Sequence, residues 1–177
     1  MPTPTPSPTP KQTKGKAGLA GLLALMTLIA TPIYTSWEGT KTLPYKDIVG
    51  VWTVCSGDTR NVHPGVRETQ ESCDKRTSAI LEEYGTKVQE LSPGIENYPY
   101  QWAAHTIFAA NVGVGAYGKS SVRRLFNEKK PVQACRALRL YNKAGGRVVV
   151  GLQNRRNGDG DRIGEYELCL VDAVTAH

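Results

Sequence analysis

Three side chains that could do chemistry fall close together in the stretch Trp37 to Thr59, WEGTKTLPYKDIVGVWTVCSGDT. They are Glu38, Asp47 and Thr53, with eight residues between the first two and five between the second and third. Two carboxyl groups on a short polar, glycine-containing segment suit the hydrolysis of a glycosidic bond. One carboxylic acid protonates the leaving oxygen, and one carboxylate faces the other side of the sugar ring. Spacing alone does not establish this, because exposed acids and a strand threonine occur in any protein. The residues around them add to the case. Ile48, Val49, Val51, Trp52 and Val54 alternate about Gly50 and read as a β-hairpin. Asp47 and Thr53 would then lie on neighbouring strands, with Glu38 just before the hairpin and facing a shared cleft.

The elements that would position these residues follow from the rest of the chain. Prolines at every second position of MPTPTPSPTP remove backbone donors and favour an extended, solvated tail, and KQTKGK adds a cationic flank, so residues 1–16 read as disordered. Ala17 to Trp37 is a run of 21 residues without a charge. As a helix it would span roughly 31 Å, about the thickness of a bilayer's hydrocarbon core. Gly18, Gly21, Thr27, Thr31 and Pro32 dilute its leucines, so it reads as a transmembrane segment only marginally held in lipid. A cleaved signal peptide and a buried helix of the folded domain are the alternatives. The first lacks well-placed small residues at a cleavage site, and the second should show a polar face. Residues 38–177 remain for one folded domain, and 40% hydrophobic content in a chain of 177 residues is enough for its core.

Within that domain, Thr69 is a fair N-cap for an amphipathic helix through Leu91, ended by Ser92-Pro93-Gly94. Pro99 to Asn111 should be the most buried helix. Asn111-Val112-Gly113-Val114-Gly115 breaks it, either as a plain turn or as one that brings backbone close to a saccharide, which makes Asn111 and Gly113 candidate substrate-binding residues. Ser120 can cap a helix from Ser121 to Glu128, and Pro131 opens another to about Tyr141.

The charge of +6 is unevenly placed: Lys11, Lys14 and Lys16 precede the first acid, leaving 19 bases against 16 acids from Glu38 onward. A domain so mildly basic, with no basic stripe, does not read as a nucleic-acid binder, and suits an anionic wall polymer or phospholipid headgroups. Cys55, Cys73, Cys135 and Cys169 lack C-x-x-C spacing and give no zinc signature. Four cysteines can pair in three ways. Cys55 would end the second hairpin strand and Cys73 open the following helix, so those two should pair, leaving Cys135 with Cys169 to staple two helices. None lies in the apolar segment. An exported chain would meet an oxidising compartment where such bonds persist.

The Glu38, Asp47, Thr53 pattern, with Pro44-Tyr45 before the aspartate and Gly50 before the threonine, resembles the catalytic region of the T-even phage lysozyme family, glycoside hydrolase family 24. YKDIVGVWTVC is similar to lambdoid phage endolysins that carry a signal-anchor-release segment. The likeness recurs in FAANVGVGAYGKSSVRRLFN and AGGRVVVGLQNRR, in the family's order, and covers roughly Glu38 to Leu170. It implies a mainly helical α+β, lysozyme-like fold: a small hairpin lobe joined by a long helix to a larger helical lobe. It implies a muramidase that cleaves β-1,4 bonds between N-acetylmuramic acid and N-acetylglucosamine in bacterial peptidoglycan, with inversion and without a metal or cofactor. Glu38 would be the general acid, its pKa raised by a partly apolar cleft, Asp47 the ionised stabiliser, and Thr53 the hydroxyl that fixes a water. The chain would be a monomer, exported by the secretion machinery and held in the host's inner membrane with its N-terminus cytoplasmic and its catalytic domain periplasmic, then released. A non-catalytic wall-binding protein of the same fold is the alternative.

The sequence departs from the family's pattern at two places. The family's histidine shortly after the threonine is replaced by Asp58, and NGDGDRIG intervenes between Arg156 and Glu165. The insertion resembles a calcium loop only superficially, because an EF-hand's sixth glycine and twelfth glutamate would be Arg162 and Leu168. It reads as an exposed loop.

Overall fold

Helix α1 (Lys16–Glu38) carries the uncharged run and continues one residue beyond it to the candidate acid. The structure, a computed structural model, describes residues 16–47 and 49–174, so the expected extended tail lies outside the described residues apart from Lys16. Alanine and leucine favour the helix. Pro32 lies inside it, where no N–H is available for the ladder, and the neighbouring Thr31 hydroxyl donates to the Thr27 carbonyl at 2.8 Å. By length and composition Gly18–Glu38 could cross a membrane. Here one face is packed: Met26, Ala30 and Tyr34 are buried, while Leu28 on the other face is 73% exposed.

That buried face lies against α2 (Gln70–Leu91) and α3 (Pro99–Val112). At Gly85 of α2 the packing leaves no room for a side chain: a Cβ there would collide with Met26 Cε and stand 3.2 Å from Leu23 Cδ1. Helix α2 starts where the sequence indicates, since Thr69 Oγ1 accepts from the Ser72 amide at 3.0 Å. Helix α3 is the most buried, with every residue from Gln101 to Ala109 inside, and Trp102 Nε1 donates to the Gly85 carbonyl at 2.9 Å.

Gly113, at φ +88°, ends α3 in a conformation that disfavours any side chain and turns the chain into α4 (Val114–Lys119), a short helix the sequence does not announce. Then come α5 (Ser121–Asn127), capped by Ser120 as expected, and α6 (Pro131–Leu138), three residues shorter than the sequence suggests. Helix α8 (Glu165–Ala173) packs across α3 and is tied to α6 by Cys135–Cys169, with Cα atoms 5.5 Å apart.

The hairpin lobe sits one register earlier than the sequence indicates. Its strands are β1 (Lys41–Lys46) and β2 (Trp52–Cys55), antiparallel, with Tyr45 opposite Thr53 and Lys46 opposite Trp52. Asp47 is therefore in the turn and not on a strand. The reason is local: the Asp47 amide donates to the Val51 carbonyl at 2.9 Å, and Gly50 takes φ +82° to close the loop. Cys55–Cys73, Cα atoms 5.1 Å apart, ties the hairpin to the start of α2. A second, minimal hairpin of β3 (Lys143–Ala144) and β4 (Arg147–Val148) turns on Gly145 and Gly146 and leads into α7 (Val150–Asn157). The whole is mainly helical α+β, with a hairpin lobe and a larger helical lobe.

Candidate active site

Glu38 is the last residue of α1, and its carboxylate is ion-paired with the Arg155 guanidinium of α7. Arg155 also donates from Nε to Glu165 Oε1 at 3.1 Å, and Arg156 Nη1 reaches the same oxygen at 2.6 Å. Arg156 Nη2 donates to Asn111 Oδ1 at 2.5 Å, and its Nε to the Tyr141 carbonyl at 3.0 Å. One chain of charges thus runs from Glu38 through two arginines to the end of α3. Glu165 is wholly buried, which pushes its carboxyl up against the lowering pull of Arg156 and Arg155. Burial opposes the charge on Arg155, and its two glutamates outweigh that, so its guanidinium is held charged more firmly than usual.

The surroundings of Glu38 differ from the apolar cleft that the sequence led us to expect. Its side chain is 33% exposed and its partner is a guanidinium. Gly39, at φ +71°, turns the chain out of the helix, and its carbonyl accepts from Ser56 Oγ at 2.8 Å, which fixes the hairpin's base beside Glu38.

Asp47 Oδ1 accepts from the amides of Val49 and Val51, at 3.0 and 2.9 Å, so the carboxylate is clamped by its own turn. Thr53 is 3% exposed, and its hydroxyl donates to the Val51 carbonyl at 3.1 Å. Among the described residues no hydrogen bond joins Glu38 to Asp47 or Thr53. The link between them is indirect: the Ser56 hydroxyl ties Gly39, next to Glu38, to the base of the hairpin that carries Asp47 and Thr53. Asn111 and Arg155 both line an open cleft of about 360 Å³ that Trp37, Asn154 and Arg162 also border. Gly113 sits where a Cβ would meet nothing within 4 Å, so its backbone angle is what requires glycine there.

Asp58 holds the ionic position that the sequence put in doubt. It is 4% exposed, with Oδ1 accepting from Arg60 Nε at 3.0 Å and Oδ2 from Arg76 Nη1 at 3.1 Å. Burial raises its carboxyl, but the hydrogen bonds from Arg60 and Arg76 outweigh that and hold it below the usual range. Arg76 lies on α2, so this acid fastens the hairpin lobe to the connecting helix. In the insertion, Asp159 has Arg162 as its partner: Oδ2 accepts from Arg162 Nε at 2.9 Å, and Oδ1 accepts from the amides of Asp161 and Arg162.

Sequence reasoning assigned no role to Arg155, Arg156 or Glu165. The available signal was tandem arginines followed by an acid at the first position of an apolar helix, since an acid that such a helix buries must be paired with cations.

A hairpin lobe set against a helical body, with an acid at the junction, defines the lysozyme class. Residues 35–159 match the family model described as phage lysozyme, and the chain belongs to that family. A relative called SAR-endolysin from Pseudomonas phage phiKMV is 35% identical over 147 residues, covering 81% of this chain and 83% of that protein. Among solved structures, the muramidase domain of SpmX from Asticaccaulis excentricus superposes with a TM-score of 0.70 at 26% identity, covering 81% of this chain and 95% of that one. A mutant of P22 lysozyme gives a TM-score of 0.69 at 25% identity, with coverage of 80% and 95%.

Proposed function

We infer that this chain is a phage endolysin, a muramidase that hydrolyses the β-1,4 bonds between N-acetylmuramic acid and N-acetylglucosamine in bacterial peptidoglycan. The observation that carries the reading is Glu38, held by Arg155 at the junction of the two lobes in a chain of the phage lysozyme family. In this reading Arg155 places Glu38, which must first take up a proton, and in its protonated form it delivers that proton to the glycosidic oxygen. Among the described residues both bonds to Asp47 fall on Oδ1, which leaves Oδ2 for the developing positive charge or for water. The Thr53 proton is committed to Val51, so its oxygen can accept from the attacking water and orient it. Attack from the face opposite Glu38 would invert the anomeric centre.

Helix α1 serves this enzyme as a signal-anchor. Its length and composition support that, and so does the word SAR-endolysin in the names of its relatives. Spanning the inner membrane, it would keep Glu38 at the lipid boundary; released to the periplasm, it packs as described above. Zymography of the wild type beside Glu38→Gln tests the assignment. The amide keeps the shape but has no proton to give, so wall cleavage should fall by at least about a hundredfold with the fold unchanged by circular dichroism. Cleavage at the wild-type rate would remove Glu38 from the mechanism.

A further inference from the structure

The inserted loop between α7 and α8 does not hang free. Trp37 Nε1 donates to the Ile163 carbonyl at 2.9 Å, Arg162 Nη1 donates to the Ser36 carbonyl at 3.3 Å, and the Arg162 guanidinium lies 3.9 Å from the centre of the Trp37 ring. Both residues it holds, Ser36 and Trp37, immediately precede Glu38. Helix α1 is closed by a glycine turn, the Gly39 amide donating to the Thr35 carbonyl at 2.8 Å, but its last turn has no basic residue, Pro32 withholds one ladder bond a turn earlier, and the Ser36 hydroxyl bonds back to the Ile33 carbonyl at 2.7 Å. Arg162 supplies what that end lacks, a cation on a terminal carbonyl.

The loop is itself built to hold a shape. Asp159 binds the Arg162 side chain and two backbone amides at once. Gly158 takes φ +87°, and a Cβ on Gly164 would collide with the backbone of Asn157 and Gly158, so the loop is pinched shut at its base. Arg155, the partner of Glu38, lies three residues before that pinch. Helix α7 and the loop after it therefore grip the end of α1 at two adjacent residues, Trp37 and Glu38 itself.

We propose that the 158–164 loop is a clasp that sets the position of Glu38, with Trp37 and Arg162 as positioning residues for the glycosidase reaction. The proposal rests on Glu38 being the general acid. The clasp fixes the last turn of α1 against α7, so that the carboxyl meets the glycosidic oxygen and not solvent. Displacement of a reacting group by about an ångström costs up to roughly a hundredfold in rate.

Steady-state cleavage of soluble, peptide-bearing glycan fragments by the full chain tests this, with thermal midpoints measured alongside. Arg162→Ala should lower kcat by roughly ten- to a hundredfold with KM within about twofold, and Arg162→Lys should recover part of the loss. Trp37→Phe, which removes only the N–H and part of the ring, should lower kcat less, and the double variant should fall short of the product of the two losses because both open one clasp. Wild-type kcat in Arg162→Ala overturns the proposal, and so does a raised KM with kcat unchanged, which would make these residues substrate contacts. If Arg162→Ala does not fold, Trp37→Phe decides on the same criterion. Inactive Glu38→Gln with fully active Arg162→Ala would sink the clasp alone, whereas active Glu38→Gln would sink the reading beneath it.

Discussion

At the scale of single residues, the least exposed titratable groups do different work from those at the cleft. His105 on α3 is wholly buried, with Nδ1 3.0 Å from the Tyr117 hydroxyl, which in turn lies 2.7 Å from Ser92 Oγ. Desolvation holds its pKa down to about 3, against 6.5 for a free imidazole. The unfolded chain therefore takes up a proton as pH falls through 6.5 while the native one refuses it, and the stability present above 6.5 drains away between 6.5 and about 3. His105→Asn should be less stable than the wild type at pH 7, and the gap should shrink by about 1.4 kcal/mol for each pH unit below 6.5. Calorimetry of the two proteins at pH 7 and at acid pH checks this; a constant gap would mean that the native histidine titrates normally. Asp58 shows what a sequence reading loses at this scale. Replacement of the family's histidine by an acid looked like a lost ionic contact. Its partners Arg60 and Arg76 make it an ionic contact of the opposite sense, and only α2's geometry reveals that Arg76 faces it.

At the scale of elements, the helices were legible wherever a cap or a proline marked a boundary. Thr69, Pro99, Ser120 and Pro131 all stand where the sequence placed them. The hairpin was legible in kind but not in register, because Pro44 and two lysines disguise β1, while Val49 and Val51, which look like strand, lie in the exposed turn, with Val49 76% exposed; Trp52 and Val54 do stand on β2. Helix α4 and the role of the insertion were hidden for a different reason: both depend on contacts across the fold, Tyr117 of α4 with Ser92 and His105, and residues 162 and 163 with residues 36 and 37. The pairing of α1 with α2 also turns on one position that no periodicity singles out. Gly85→Leu should leave α2 helical but keep α1 from seating, at a cost of at least about 1–3 kcal/mol. Limited proteolysis should then cut within residues 17–38, and wall cleavage should fail although Glu38 is untouched. Protection equal to the wild type would show that Met26 and Leu23 can move aside.

At the scale of the molecule, the proposed cycle asks helix α1 to serve in two media. Gly18 is exposed and Gly21 has nothing within 4 Å of a Cβ, so leucine at both should leave the released protein's fold and its activity on permeabilised cells unchanged. The same leucines should strengthen retention by about half a kcal/mol or more each, shifting the protein to the membrane fraction and delaying lysis. A wild-type distribution between fractions would separate retention from the helix's apolar content. Thr27 is a poorer place for this experiment, since it is 5% exposed and any change there also disturbs packing. The two faces of α1 then imply an unusual map of mutational tolerance. On the proposed cycle Leu25 and Leu28, idle in water, matter for holding lipid, whereas Met26, Ala30 and Tyr34 must suit a protein interior as closely as they suit hydrocarbon. A surface helix of an ordinary soluble enzyme has a face on which substitutions drift freely; this one should have almost none, and a saturation screen that scored both lysis timing and enzyme yield would find its permissive positions split between the two scores.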